Sequence, residues 1–332
     1  MYKMPPNERS VKKLIDFNSN DVKYRETNDN WNCFNHIIWR NVLYYTAIHI
    51  AAIYGSYLVF TSAKILTTLF AIFLYHISIF GVTAGIHRLW SHRAYKASLP
   101  LRIILGIFST IAYQGPIYEW ACEHRAHHKY SETDADCVNS KRGFFFAHCG
   151  WLMCAPHPAV ADHGDKIDSS DMLFDPVVAI QRRHYKPAAI ILCFVMPTVV
   201  PMYFWSETLC NGFFVCVWLR YILALNACWL VNSAAHMWGY KPYDVSIGPT
   251  DNSPIAALVL GEGYHNFHHT FPWDYSTSEW GWKCNVTTFI LDQLATIGWV
   301  YDRRYATRDL IEKRRARTGP KDHVFIHQDI GY

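Results

Sequence analysis

The sequence predicts an all-α membrane protein in which four transmembrane helices carry a cytosolic helical cap with a histidine-rich metal site. Of the 332 residues, 51% are hydrophobic and only 17% are charged, whereas about a quarter of a typical soluble domain is charged. Four apolar stretches have roughly the 20 residues that cross a bilayer as a helix. Nine histidines clustered beside these stretches indicate a centre with two metal ions, because each ion takes several neutral nitrogen ligands.

The predicted spans cover residues 41–63, 65–86, 188–205 and 212–235. Two prolines in the third span, Pro197 and Pro201, predict a bend there. A fifth apolar stretch, 101–118, is assigned to an interfacial or re-entrant helix. If it crossed the membrane, the histidine clusters before and after it would lie on opposite faces, and one metal site could not use both.

Basic residues predict the orientation. Lys and Arg are frequent in the N-terminal arm 1–40, in the cap segments 87–187 and 236–310 and in the tail 311–332, but scarce in the short hairpins between spans. The positive-inside rule therefore places both termini and all histidine clusters in the cytosol, with the membrane domain over 41–310. Three spans with an external N-terminus is the alternative.

Arg220 and the cysteines also need a place in this fold. Arg220 lies within the fourth predicted span, and we expect its side chain to extend to the lumenal surface. The ten cysteines form no CxxC pair, so we expect reduced thiols that pack mostly in the core. The net charge of +4 is too small to suggest that the protein binds nucleic acid.

Four short histidine motifs supply the candidate metal ligands. In HRAHH and HNFHH the histidines are spaced i, i+3, i+4, so the three imidazoles of each motif lie on one helix face and can reach one place. The histidines of HRLWSH are five apart, so they do not share a helical face and fit a helix end, and the histidine of NSAAH follows an asparagine by one turn. The candidate ligands are His87, His92, His124, His127, His128, His236, His265, His268 and His269, with Asn232 beside His236.

The number of imidazoles favours iron. Zinc takes about four protein ligands in structural sites and about three in catalytic sites, so nine histidines exceed the needs of two zinc ions. Two iron ions, each with about four or five nitrogen ligands and an open position for dioxygen, account best for the count. Carboxylates should orient the imidazoles, and those nearest in sequence are Glu123, Asp134, Asp136 and Glu262. Exposed loop acids and metal-free core histidines are the alternatives.

At these residues the chain resembles the membrane fatty acyl-CoA desaturases, specifically the stearoyl-CoA (Δ9) type of animals. The matching stretches extend over most of residues 39–310, and three histidine motifs together with NSAAH are far more specific than a lone HxxHH. They read GVTAGIHRLWSHRAYKA, HRAHHKYSETDAD, RGFFFAHCGWL, LNACWLVNSAAH and GEGYHNFHHTFPWDY.

The resemblance implies a mushroom-shaped fold in the endoplasmic reticulum membrane, with a stem of four helices and a cytosolic cap. It implies that the nine histidines bind two iron ions (Fe2+), that Asn232 reaches one of them through water, and that dioxygen is a substrate. The reaction implied is the insertion of a cis double bond, at Δ9, into a saturated fatty acyl-CoA. Electrons would come from NADH through a reductase and cytochrome b5. The chain is thus expected to be an acyl-CoA desaturase, a di-iron oxidoreductase.

The resemblance also implies where the substrate binds. Family residues that match Gln114, Trp120 and Trp229 line the acyl tunnel at its bend, and those that match Tyr75 and Ile79 close its far end. A small residue is common at the Ile79 position, so we expect a preference for acyl chains shorter than stearoyl. Residues at the family's headgroup contacts are matched by Arg40 and Asn41.

The chain departs from the family on the surface that contacts CoA. An Arg and an Asp of the family are replaced by Cys122 and Glu123, and a basic pair is replaced by Ala155 and Pro156. Each lost charged hydrogen bond should weaken CoA binding by roughly 1.5–3 kcal/mol. The enzyme could bind acyl-CoA in a shifted pose, use another acyl carrier such as a phospholipid, or have lost turnover.

Three other functions are left open. The first is a desaturase of different position, or a hydroxylase, on the same scaffold. The second is a non-catalytic lipid-binding relative with a vestigial site, which iron content would reveal. The third is a zinc hydrolase, which the ligand count and the lack of a clear general base disfavour.

Overall fold

The computed structural model describes residues 31–283 and 285–321. Short 3₁₀ turns occupy Cys33–His36, Ser140–Arg142 and Gly150–Met153. Two-residue strands β1 (Lys96–Ala97) and β2 (Val300–Tyr301) pair antiparallel. The helices are α1 Trp39–Thr61, α2 Ile65–Ser91, α3 Leu99–Ala112, α4 Ile117–Tyr130, α5 Phe144–His148, α6 Pro158–Gly164, α7 Ser170–Leu173, α8 Pro176–Trp205, α9 Leu209–His236, α10 Ser253–Leu258, α11 His265–Thr270, α12 Val286–Thr296 and α13 Arg308–Thr318.

Within the described residues, four helices are long and apolar enough to cross a membrane: α1, α2, α8 and α9, with 23, 27, 30 and 28 residues. Their outward faces carry large apolar side chains, such as Ile53 at 70% and Phe60 at 88% exposure on α1, which suits contact with lipid. The all-α membrane fold with four spanning helices predicted from the sequence is confirmed.

Three of these helices contain π-helical segments. Residues Gly81–Ser91 of α2, Ile190–Val195 of α8 and Gly212–Leu219 of α9 have π-helical hydrogen bonding. A π turn inserts an extra residue and changes which side chains share a face, and it occurs most often at functional sites. None of these segments was predicted from the sequence; the one in α2 contains His87 of HRLWSH, and His92 directly follows it.

Helix α8 begins well before the predicted third span, at Pro176 rather than at residue 188. Asp175 is the N-cap, and its carboxylate accepts from the Val177 backbone N–H. The backbone leaves helical geometry at His184 (φ −109°, ψ 15°), three residues before Pro187. Pro197 and Pro201, where the sequence predicted the bend, lie within the regular segment Met196–Trp205.

The fifth apolar stretch forms α3, a helix of 14 residues whose C-cap, Tyr113, has a backbone in the left-handed region (φ 55°). About 20 residues are needed to cross a bilayer, so α3 is too short to span. Its inner face buries Leu101 and Leu105, while Leu99 and Ile103 are 48% and 46% exposed. This two-sided character suits the predicted interfacial helix.

The expectation for Arg220 was wrong. Its side chain is buried, at 1% exposure, and its Nη1 donates to the Ile111 carbonyl at 2.8 Å. That carbonyl lies in the last turn of α3, where carbonyls lack helical partners. Its Nη2 lies 3.4 Å from the Cys193 carbonyl, four residues before Pro197, which has no N–H to offer it. The guanidinium thus satisfies freed backbone groups instead of extending to the membrane surface.

The expectation of reduced cysteines was wrong for one pair. Cys33 and Cys154 form a disulfide, and the remaining described cysteines are free. Backbone pairing of Ile37 with Cys154 joins the same two segments. The disulfide therefore ties the start of α1 to the loop before α6. Most of the predicted N-terminal arm, residues 1–30, and the tail beyond 321 lie outside the described residues.

The helices that carry the histidine motifs meet above the apolar bundle. A buried core extends from Ile79 and Ile86 of α2 through Leu105 of α3 and Ile117 of α4 to Leu291 of α12. The C-terminal ends of α2 and α9 emerge at the same end of this core, because the chain crosses it in alternating directions. This places HRLWSH and NSAAH on one side, where α4 and α11 cover them.

Candidate metal centre

The π-helical end of α2 brings together two histidines that sequence reasoning placed on different faces. The His92 backbone N–H donates to the His87 carbonyl five residues earlier at 3.1 Å, which is the π-helical pattern. The two ring centroids are 4.8 Å apart. The expected helix end is present, but the extra residue of the π turn puts both imidazoles on the same side.

The HRAHH and HNFHH motifs form α4 and α11 as predicted, but each motif serves two places instead of one. His124 and His128 of α4 approach His268 of α11, while His127 of α4 approaches His269 of α11. A helix turns about 100° per residue, so positions three and four apart diverge enough to face separate neighbours. The two helices therefore interleave their imidazoles.

The nine histidines form two groups in which one ligand nitrogen per residue lies within 4.8 Å of the others. The two groups are adjacent, since the rings of His128 and His269 stack with centroids 4.0 Å apart. The five-histidine group comprises His87, His92, His124, His128 and His268. The four-histidine group comprises His127, His236, His265 and His269.

The nitrogens within each group converge on their neighbours. Nε2 of His268 lies 2.9 Å from Nε2 of His87 and 3.0 Å from Nε2 of His128. Nε2 of His265 lies 3.1 Å from Nε2 of both His236 and His269. Such clustering of acceptor nitrogens suits a shared cation, because neutral imidazole offers a lone pair and metals bind that form.

Burial and the chemistry of the donors fit metal ions. Nε2 of His127 is buried and has no hydrogen-bond partner among the described residues, although a buried polar atom normally has one. Burial, and then the neighbouring imidazoles, hold the pKa of His265 and His268 well below the usual value. Both side chains are therefore neutral at pH 7 and ready to bind a metal ion.

Carboxylates lie near the Nδ1 atoms of three of the histidines. Nδ1 of His87 is 3.1 Å from Glu262, and Nδ1 of His127 is 3.0 Å from Asp136, as the sequence suggested for these two acids. Glu132, which the sequence analysis missed, lies 3.7 Å from Nδ1 of His236. Its position in SETDAD, beside HRAHH, was the available signal.

Two of the four candidate carboxylates do not take this role. Asp134 pairs with Arg142 at 2.7 Å at the surface, and Glu123 is exposed. Helical geometry explains the position of Glu123, because it precedes His124 by one position on α4 and so faces away from it. Asn232 is half-buried one turn before His236, and its contact with a metal through water stays a prediction.

The residues predicted at the bend of the tunnel have different neighbours. Trp120 stacks on the imidazole of His124, with ring centroids 4.9 Å apart and planes at 23°, so it forms a wall of the five-histidine group. Gln114 donates to the Cys228 sulfur at 3.2 Å. Trp229 packs edge-on against Tyr45, with centroids 5.7 Å apart.

The two residues predicted at the far end of the tunnel lie on α2. Ile79 is fully buried, and the hydroxyl of Tyr75 donates to the Leu258 carbonyl of α10 at 2.8 Å. At the predicted headgroup surface, Asn41 donates to the Leu152 carbonyl at 2.8 Å, and Arg40 is exposed.

The four replaced positions of that surface lie on two segments. The Ala155 N–H donates to the His36 carbonyl at 2.9 Å, beside the disulfide. Pro156 and Glu123 are exposed, and Cys122 is half-buried. The role of every predicted substrate residue stays a prediction.

A helical membrane bundle that ends in two groups of converging histidines defines a class of membrane metalloenzyme. The family model for "Fatty acid desaturase" matches residues 63–297. The chain therefore belongs to the fatty acid desaturase family.

Curated proteins are similar over most of their length. An "Acyl-CoA Delta12-desaturase" of Acheta domesticus is 53% identical over 288 residues, 86% of this chain and 81% of that protein. "Acyl-CoA desaturase 3" of Mus musculus is 52% identical over 86% of this chain and 79% of its own. An "Acyl-CoA Delta-9 desaturase" of Acheta domesticus is 51% identical over 86% of this chain and 80% of its own.

Proposed function

We propose that this protein is an acyl-CoA desaturase that uses two Fe2+ ions and dioxygen to insert a cis double bond at Δ9 of a saturated fatty acyl-CoA. The observation that carries the proposal is the pair of converging histidine groups at one end of a membrane bundle. The names of the similar curated proteins support acyl-CoA as the substrate. The two adjacent groups support two ions, and all-imidazole sets suit iron.

In this proposal the five-histidine group and the four-histidine group each hold one ion, with Asn232 reaching the second through water. Iron, when bound, supplies the redox chemistry that breaking an unactivated C–H bond requires and side chains alone cannot supply. The chain's own contribution is to hold the acyl chain in one register and to exclude water. Trp120, stacked on His124, would be the surface against which the reacting carbons lie.

We assign the acyl chain to the region between Trp120 and α2, bounded by Gln114 and Trp229 at the bend and by Tyr75 and Ile79 at the far end. The buried position of Ile79 and the Tyr75–Leu258 hydrogen bond support a closed end. A branched side chain there shortens the available space, so the preferred substrate is shorter than stearoyl-CoA.

Desaturation at Δ12 is the second candidate. It is favoured by one observation: the Acheta domesticus protein named for Δ12 is 53% identical to this chain, and the one named for Δ9 is 51% identical. The register of the acyl chain relative to the ions decides the position, so a small shift of the bound substrate changes it.

The proposal includes the endoplasmic reticulum membrane, cytosolic termini, and electrons from cytochrome b5 and its NADH-dependent reductase. The basic cap and the scarcity of Lys and Arg in the short hairpins support this orientation. Arg40 and Asn41 would contact the CoA headgroup. The replacements at Cys122, Glu123, Ala155 and Pro156 remove charges there, so we expect weaker acyl-CoA binding than in relatives that keep them.

Expression in yeast cells that lack their own Δ9 desaturase tests this function. Gas chromatography with localisation of double bonds should reveal new Δ9 monoenes, most of them with acyl chains shorter than stearoyl. Double bonds at Δ12 alone would support the second candidate. Folded, iron-loaded protein with no new unsaturation would contradict desaturation of acyl-CoA, and protein without iron would favour a non-catalytic role.

A further inference from the structure

The turn that follows α4 has an unusual backbone at Glu132. Its φ is 63°, in the left-handed region that non-glycine residues rarely adopt. The Glu132 N–H donates to Oδ2 of Asp136 at 3.0 Å, and Oδ1 of the same carboxylate lies 3.0 Å from Nδ1 of His127. The turn thus links its own backbone to a member of the four-histidine group. A left-handed residue persists where its surroundings fix it.

The side chain of Glu132 points at another member of that group. Its Oε1 lies 3.7 Å from Nδ1 of His236, and the carboxylate is largely buried, with the side chain 16% exposed. Ser140 donates to the same Oε1 at 3.4 Å. One short turn therefore supplies a carboxylate to His127, through Asp136, and a carboxylate to His236.

The space for this carboxylate comes from Gly248. A Cβ at residue 248 would overlap Oε1 and Cδ of Glu132. The loop that holds Gly248 is fixed by Asn266 of α11, whose Nδ2 donates to the carbonyls of Asp244 at 2.8 Å and Pro249 at 3.0 Å. Asn266 is fully buried and follows His265 in the HNFHH motif. These hydrogen bonds hold the loop against α11, the helix that carries His265 and His269 of the four-histidine group.

We propose that Glu132 is a positioning residue for the four-histidine group, with Gly248 providing the space in which its carboxylate orients His236. This inference rests on the proposed function for the identity of the ion. A carboxylate at Nδ1 fixes the tautomer and the ring orientation, so Nε2 carries the lone pair toward the metal. Glu132 and Asp136 together aim two of the four imidazoles from one turn.

Two substitutions on different segments test the inference. Glu132→Gln keeps the shape of the side chain and removes its charge. Gly248→Ala keeps Glu132 but displaces its carboxylate, and Gly248 has no left-handed φ that alanine would strain. Gly164→Ala is the matched control, since a Cβ there meets nothing within 4 Å.

The measurement is the iron content of the full-length protein, purified in detergent and titrated with a chelator. In Glu132→Gln and in Gly248→Ala, about half of the iron should be lost at roughly 10- to 100-fold lower chelator concentration than in the wild type. The other half should be retained, and Gly164→Ala should behave as the wild type. The double variant should lose its iron at the same chelator concentration as either single variant, because both substitutions disturb the same contact.

Iron held as tightly in both variants as in the wild type would overturn the inference. Equal loosening of both ions, with a lower melting temperature, would also overturn it, because it would indicate a general structural role. If the wild type holds no iron, the proposed function fails, but the same titration with Co2+ still tests the inference. The contact at Nδ1 acts on any ion that Nε2 binds.

Discussion

The two histidine groups differ in the carboxylates that contact their imidazoles and in whether those carboxylates form ion pairs. In the five-histidine group, Glu262 contacts His87 and also pairs with the buried guanidinium of Arg88 at 2.7 Å. In the four-histidine group, Asp136 and Glu132 contact histidines, and neither forms an ion pair with Lys or Arg within the described part of the chain. Glu262 is held in a buried ion pair, whereas Asp136 and Glu132 are not, although Lys141 and Lys241 lie near enough to contribute to lowering the pKa of Glu132.

This difference teaches that two adjacent sites built from the same side chain need not be equivalent. Carboxylates that are not held in an ion pair raise the basicity of the imidazoles they contact and make the surroundings of a bound cation more negative. We therefore expect the ion of the four-histidine group to be stabilised more strongly in its higher charge state. The guanidinium of Arg88 offsets this effect in the five-histidine group.

The largest expected effect comes from removing one imidazole from each group. His268→Ala deletes the nitrogen that lies within 3.0 Å of both His87 and His128, and His269→Ala deletes a neighbour of His265. Each should lower desaturation by at least about 100-fold, since losing a ligand exceeds the effect of losing its outer partner. Product analysis in the yeast cells described above, with iron content of the purified protein, checks this.

His163→Ala is the control for these two variants, because His163 belongs to neither group and contacts the Ala159 carbonyl. It should retain full activity and both ions. If His269→Ala kept wild-type activity while His268→Ala lost it, only the five-histidine group would be required, and the two-ion proposal would be wrong.

Smaller effects should follow from substituting the carboxylates, and they should differ between the two groups. Glu262→Gln leaves the buried Arg88 without its ion-pair partner, which should lower the free energy of unfolding by roughly 3 kcal/mol. Asp136→Asn leaves no buried Lys or Arg without an ion-pair partner, so its main effect should be a metal affinity that is lower by roughly 10- to 100-fold. Thermal unfolding of the metal-free proteins in detergent measures the first effect, and chelator titration measures the second.

The double variant Arg88→Met/Glu262→Gln is the control, because removing both charges relieves the unpaired cation. It should recover part of the stability that Glu262→Gln loses. Equal melting temperatures for Glu262→Gln and Asp136→Asn would show that Arg88 does not distinguish the groups.

Much of the fold follows from the sequence because hydropathy and helix length obey one rule, that a span needs about 20 apolar residues. The four spans and the short α3 were found in this way. The π-helical segments could not be found, since a single inserted residue changes hydrogen bonding without changing composition. The burial of Arg220 also depends on distant partners, the carbonyls of Ile111 and Cys193, which no local pattern reveals.

At the candidate site, the sequence indicated which histidines cluster but not how they divide. The i, i+3, i+4 spacing predicted a shared face, yet His127 separates from His124 and His128 because two groups lie beside α4. Asp136 and Glu262 were found from their nearness in sequence to the motifs. Glu132 was missed because its approach to His236 depends on a left-handed turn and on the space beside Gly248.

The smallest expected effect concerns Asn232, which is predicted to act on the four-histidine group through water. Asn232→Ala removes one hydrogen bond to the bridging water, which is worth about 1 kcal/mol. It should therefore lower the rate of desaturation by about fivefold and leave the five-histidine group unchanged. Product ratios and the chelator titration measure these two quantities. Asn226→Ala is the matched control, since Asn226 lies on the same helix but contacts His49 and His148. A loss comparable to that of His269→Ala would mean that Asn232 binds the ion directly, and the four-histidine group would then have a fifth protein ligand.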